Sequence, residues 1–352
     1  MKKLIKITAV FCIIALLASC GLVSKEEKKE PKKKSEVIVT VGDMKFNTER
    51  FNFYFYSAQG EALVSEGYQQ SADVPADFWE QKVDGKTRLE IVKERALSIL
   101  IDDALAYQKA KELGLKLSDE EKQQIDSQIA TIEQDEQSMQ QLESMGVSID
   151  AIKAYYNEGY VTQKLLPELM DKGDIKVDDE EVLKSFRETY VKAKHILIAT
   201  TDTATGAALS EEEVAKAQEK AQDILNQINS GADFDELMNA NSEDPGLQSA
   251  PDGYVFTKGE MVAEFEEAAF ALSENQVSGL VNTSYGIHIL KRVPFDMAGQ
   301  QEATVIENKK AELAYPELEA LLKTWKANTK IKTNDKVFDK IKAFDPMVIF
   351  GQ

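Results

Sequence analysis

The chain of 352 residues has two histidines, and each sits in a short aliphatic run: VKAKHILI at 191–198 holds His195, and TSYGIHIL at 283–290 holds His288. Ile196, Ile198, Ile287 and Ile289 favour extended backbone, and Ser284, Tyr285 and Gly286 supply a turn before the second run, so both runs read as strands. Two strands carrying one imidazole each can face one pocket. One such histidine alone is more often a hydrogen-bonded core residue, so the pairing must draw support from what lies between the runs.

Composition removes several kinds of chemistry. Both cysteines, Cys12 and Cys20, fall within the first twenty residues, so the folded part offers no thiol for a disulfide, a zinc ligand or a nucleophile. With two histidines besides, no transition-metal site is expected, and no cofactor is implied. A formal charge of −19 disfavours binding to a phosphate backbone, so nucleic acid is set aside as a partner. At 43% apolar and 29% charged residues the chain is otherwise ordinary for a soluble protein of two or three domains.

Several elements must position the two runs. Residues 1–19 have a basic start and an apolar core from Ile7 to Leu17, the pattern of a secretory signal too short for a stable membrane span. Leu17, Ala18, Ser19 and Cys20 match the bacterial lipobox, which implies cleavage before a diacylated Cys20 and a double acyl anchor on the extracytoplasmic face of the cell membrane. Residues 20–36 form a charged, low-complexity tether. Residues 37–190 read as a short strand, a turn at Gly42 and Asp43, and then helices: one from Asn47 or Thr48, one over 87–113 closed by Gly114, one from the capping box at Ser118 to Gly146, and two over 150–166 and 178–189. A second capping box, Ser210 to Glu213, opens a helix whose Val214, Ala217, Ala221, Ile224, Leu225 and Ile228 form a core stripe. Pro294 ends the histidine-bearing region. Residues 302–344 read as helical, followed within that span by a short segment through Val337, Phe338 and Ile341. They are too few to bury Leu313, Leu318, Leu321, Leu322 and Trp325 alone, so residues 295–352 are expected to dock on the N-terminal half, leaving the region between as an insertion.

The text between the histidines runs FDELMNANSEDPG from Phe234 and PDGYVFTKGEMVAEFEEAAFAL from Pro251. With the two strands it resembles the parvulin family of peptidyl-prolyl isomerases. That pattern is a strand ending A-(R/K/S)-H-I-L, then helices, S-x-(D/C), a G-x-M-x-x-x-F-E-x-A-x-F helix and a last G-(Y/I)-H-I-(I/L) strand. The resemblance covers about 191–294 and implies a four-stranded antiparallel sheet flanked by helices, so the chain is α+β, a helical chaperone-like domain carrying an inserted parvulin domain. It assigns His195, Asp244 and His288 to a catalytic polar network that Thr283 extends, and Met261, Phe265 and Phe256 to a proline pocket. Met261 and Phe265, four apart, would share one helix face. Asp244 stands where the family carries cysteine or aspartate, an alternation that argues against a covalent step. Two departures fall on the pocket rim. The common G-G-D-L-G-x-F turn is PDGYVF here, so the pocket leucine becomes Gly253 and Tyr254 is expected to close the gap, while a usual small hydroxyl residue is Tyr285. No basic cluster points to phosphoserine-proline, so the implied substrate is ordinary X-Pro in unfolded exported chains.

The stretches VGDMKFNTERF and AKELGLKLSDEE resemble the N-terminal regions of PrsA-type and SurA-type secreted foldases. The implied function is a lipid-anchored foldase, with a second copy of the chain as a candidate partner. Its rival is a non-enzymatic holdase that uses the parvulin fold to bind clients. A solute-binding lipoprotein is disfavoured, since no doubly wound pattern is visible.

Overall fold

The computed structural model describes residues 35–202, 205 and 207–350. The signal, Cys20 and most of the tether therefore lie outside the described residues. Two compact units form among the described residues, one from 35–176 with 314–350, the other within 177–313.

In the first unit β1 (Val37–Val41) and β2 (Met44–Asn47) make a hairpin leading into α1 (Thr48–Ser65). The Asn47 side chain accepts from the Arg50 N–H at 3.0 Å and so caps that helix. The small hairpin β3 (Lys82–Val83) and β4 (Lys86–Thr87) precedes α2 (Arg88–Glu112), which opens on a reciprocal Thr87–Glu90 capping box. Four more helices follow: α3 (Asp119–Gln134), α4 (Glu136–Met145), α5 (Ile149–Thr162) and α6 (Leu165–Asp171). The single helix expected between Ser118 and Gly146 is thus two. Asp135 leaves helical geometry at φ −92° and ψ 104°, and its carboxylate accepts from the Ser138 N–H at 2.8 Å; such a local side-chain bond competes with helix continuation. The core of this unit is aromatic, with Phe51 and Phe55 stacked at 5.6 Å and Phe53 against Tyr155 at 4.6 Å.

The second unit holds α7 (Asp179–Thr189), β5 (Tyr190–Ala199), α8 (Glu211–Asn229), α9 (Phe234–Asn241), β6 (Tyr254–Thr257), α10 (Ala263–Ala271), β7 (Val277–Asn282) and β8 (Gly286–Arg292). Its sheet runs β6-β5-β8-β7 with every pairing antiparallel. Side chains alternate across a sheet, and both central strands exploit this. Ile196, Ile198, Ile287 and Ile289 pack with Ala221, Ile224 and Phe234 of α8 and α9 on one face. Val191, Ala193 and Leu290 pack with Phe256 and with Phe265 and Ala269 of α10 on the other.

The next helix, α11 (Gln300–Asn328), begins in the second unit and ends in the first. Its Glu302 is buried and accepts from Lys192 of β5 at 2.7 Å and from the Asp296 N–H at 3.0 Å. After it come β9 (Ile331–Thr333), α12 (Asp335–Phe338) and α13 (Pro346–Phe350). The helical reading of 302–344 therefore misses a strand. β9 pairs antiparallel with β1 and makes a three-stranded sheet in the order β2-β1-β9, because β1 has an open edge whose backbone groups need partners.

Candidate active site

The register of β5 on β8 sets His195 opposite Leu290 and His288 opposite Leu197. Residues opposite one another in an antiparallel pair share a face, so both imidazoles rise from the same side of the sheet as diagonal neighbours. Their ring centroids lie 5.2 Å apart. Phe265, projecting from α10, stands nearly edge-on to both rings, at 5.1 Å from His195 and 5.3 Å from His288. Both histidines are buried, and the Nδ1 of each has no hydrogen-bond partner among the described residues.

Burial holds both rings neutral. It lowers the His195 pKa, against the opposing field of Asp244. It pushes His288 down to about 4, helped by the neighbouring His195 and again opposed by Asp244. The Thr283 hydroxyl lies 2.9 Å from His288 Nε2 and within reach of the Gly286 carbonyl at 3.4 Å.

Asp244 enters from the segment after α9. Its Oδ2 lies 3.6 Å from His195 Nε2 and accepts a hydrogen bond from the Tyr254 hydroxyl at 2.7 Å, while Oδ1 accepts from the Gly246 N–H at 3.0 Å. The sequence reasoning missed what fastens this segment. Beyond Ala193 the β6 pairing stops, and the freed edge of β5 is taken up by Ser242 and Glu243. Ser242 Oγ accepts from the Leu197 N–H at 3.1 Å, the Glu243 N–H donates to the Leu197 carbonyl at 2.8 Å, and the Glu243 carboxylate accepts from the Ala199 N–H at 2.8 Å. The polar run just before Asp244 was the available signal.

The apolar residues converge with one change. Met261, Phe265 and Phe256 belong to the same cluster as Leu290, with Phe256 fully buried behind Phe265 at 5.8 Å. Met261 is not on the helix, which starts only at Ala263. Gly259 has φ +91° and its N–H donates to the Glu266 carboxylate, which holds 259–262 as a turn ahead of α10. The Tyr254 ring is stacked on His195 at 5.7 Å. Gly253 cannot carry a side chain: at φ +98° a Cβ would lie 2.8 Å from the Ala193 carbonyl oxygen. Tyr285 on the rim is 59% exposed, so it closes nothing. The site thus sets two buried imidazoles, a hydroxyl and a carboxylate against an aromatic floor, with no cysteine thiol among the described residues. Among the described residues no group of acidic, histidine or cysteine side chains is placed to hold a metal ion.

A family model described as a PPIC-type PPIase domain matches residues 180–293. A foldase protein PrsA of Caldanaerobacter subterraneus subsp. tengcongensis is 29% identical over 92% of this chain and 95% of its own length. A foldase protein PrsA of Clostridium botulinum is 24% identical over 95% of this chain and 98% of its own, and one from a Geobacillus species is 33% identical over 45% and 51%. Together with the two histidines, the aspartate and the aromatic floor, these matches make the chain a PrsA-like parvulin foldase, with a peptidyl-prolyl cis-trans isomerase domain of the PPIC type.

Proposed function

We propose that this foldase is held on the extracytoplasmic face of the membrane by acyl chains on Cys20 and accelerates rotation about X-Pro bonds in unfolded, exported polypeptides. The observation that carries the catalytic part is the meeting of the only two histidines of the chain, 5.2 Å apart and both edged by Phe265.

Rotation about X-Pro makes and breaks no covalent bond, but its barrier is about 18–20 kcal/mol. In this reading Met261 and Phe265 hold the pyrrolidine ring, with Phe256 supporting them and Tyr254 forming a wall. Excluding water from the amide removes hydrogen bonds that favour its planar form. His195, His288, Thr283 and Asp244 then serve as oriented polar groups around the twisted amide. About 5 kcal/mol of preference for the twisted form corresponds to a roughly 10⁴-fold acceleration.

The domain arrangement we propose is a signal over 1–19, a tether over 20–36, a chaperone-like domain from residue 37 completed by the C-terminal segment, and the isomerase domain between, with the compact units dividing at 176/177 and 313/314 in place of the expected 190/191 and 294/295. The pairing of β9 with β1 supports the docking of the C-terminal segment. Among the described residues no helix is long and apolar enough to cross a membrane. Exchange spectroscopy on X-Pro peptides with the full chain tests the catalytic part. Acceleration above background is expected, and a well-folded protein with none would favour the holdase reading. For the anchor, mass spectrometry of the membrane fraction should find a lipid-modified peptide beginning at Cys20, and Cys20→Ala should release or misprocess the protein. Wild-type chain recovered wholly soluble and unmodified would overturn it.

A further inference from the structure

We propose that Tyr254 is a positioning residue of the isomerase site, its hydroxyl holding the Asp244 carboxylate off His195 in a space that Gly246 keeps open. The proposal rests on the reading of His195 and Asp244 as parts of the catalytic frame.

Three independent features of the geometry lead here. First, a single oxygen, Asp244 Oδ2, has two suitors: the Tyr254 hydroxyl at 2.7 Å and His195 Nε2 at 3.6 Å, the latter beyond hydrogen-bond length. The phenol has won. Second, the other oxygen is tied to the Gly246 N–H at 3.0 Å, so the carboxylate cannot turn to serve both neighbours without losing a bond. Third, a Cβ built on Gly246 would fall 2.1 Å from the Tyr254 hydroxyl oxygen and 3.4 Å from Asp244 Oδ1. Gly246 is therefore the vacancy into which the phenol tip fits, and its backbone has no positive φ that would give another reason for a glycine.

The consequence concerns charge. An imidazole in direct contact with a carboxylate is drawn toward the imidazolium form, and opposite charges within about 4–6 Å shift a pKa by roughly 1–3 units. By holding Oδ2 at 3.6 Å from Nε2, Tyr254 limits that pull and leaves His195 neutral as burial dictates. The groups facing His195 are Asp244 from the segment after α9, Tyr254 from β6 and His288 from β8, while α10 presents the uncharged Phe265. Burial and the bond to Asp244 push the Tyr254 phenol pKa up, so it remains a donor at any pH where the protein is used.

The test uses the full chain, in which only two imidazoles give ring signals. Tyr254→Phe keeps the ring stacked on His195 and removes the donor. Gly246→Ala keeps the donor and displaces it. Either change should free Asp244 to approach His195, raise the His195 titration midpoint by about one unit and move the low-pH limb of kcat/KM upward with it. The double variant should shift no further than either single one. Midpoints unchanged in a Tyr254→Phe protein with normal thermal unfolding would overturn the proposal, whether or not Gly246→Ala folds. A midpoint that rises while the pH–rate profile stays fixed would retain the competition for Asp244 and overturn the catalytic reading beneath it.

Discussion

Replacing His288 by glutamine should change how the isomerase unit responds to acid, and the size of the effect follows from burial. His288 titrates at about 4 in the folded protein against 6.5 ordinarily. The folded-state value is depressed, so between pH 6.5 and about 4 the unfolded chain binds a proton at this position that the folded chain refuses. Stability must then fall as the pH falls through that window and gain nothing back below it. At about 1.36 kcal/mol per unit, the loss relative to pH 7 is about 2 kcal/mol at pH 5 and about 3 kcal/mol at pH 4. His195, also lowered by burial, adds a loss of the same sign. His288→Gln can keep a polar end near the Thr283 hydroxyl while removing the proton site. The carboxylates that titrate in the same range are common to both proteins and cancel in the difference. Both tryptophans, Trp79 and Trp325, lie in the other unit, so urea unfolding is best followed through methyl and His195 resonances. The variant should be less acid-sensitive than wild type by about those amounts. Parallel stability curves from pH 7 to pH 5, or a His288 ring that titrates near 6.5 in the native protein, would refute the reasoning.

Other outcomes follow from single contacts. Thr283→Val removes the 2.9 Å partner of His288 and should cost about 1 kcal/mol of stability together with a fall in kcat, read by unfolding and peptide exchange. Glu302→Gln strands the buried Lys192 charge and should cost about 3–5 kcal/mol, and a fragment of residues 191–294, which lacks Glu302 altogether, should melt below one of residues 177–313. Met261→Ala opens the pocket beside Phe265 and should raise KM and lower kcat together in the exchange assay, whereas an unchanged KM would place Met261 outside the substrate's reach.

What could be read from the residues alone was whatever is encoded locally or repeats with a period. The capping boxes at Ser118 and Ser210 were legible because donor and acceptor lie within one helical turn of each other. The two histidine strands were legible because Ile196, Ile198, Ile287 and Ile289 alternate with the site residues, and the same alternation that buries the isoleucines under α8 and α9 puts His195 and His288 on the opposite face. Missed were features set by where the chain returns. Nothing near Ile331 announces that it will pair with Val41, because a strand's need for an edge is met at a distance in sequence. The turn that keeps Met261 off α10 depends on Glu266 reaching back to Gly259, a bond that the four-residue spacing of Met261 and Phe265 cannot reveal.

The candidate site itself divides along the same line. Its residue types were visible, but the partner each one takes was not, since Asp244 had both a histidine and a phenol to choose from and only the folded backbone brings the phenol nearer. That choice decides the electrostatics. Asp244 committed to His195 would form a buried ion pair, with the desolvation cost such pairs carry. Asp244 committed to Tyr254 leaves the imidazoles neutral, and in the proposed function they would hydrogen-bond to an amide whose nitrogen and oxygen both change character as it twists. In the proposed reading the two imidazoles act as neutral, fixed dipoles, while the Asp244 carboxylate stays beyond hydrogen-bond length of His195 on its bond to the phenol.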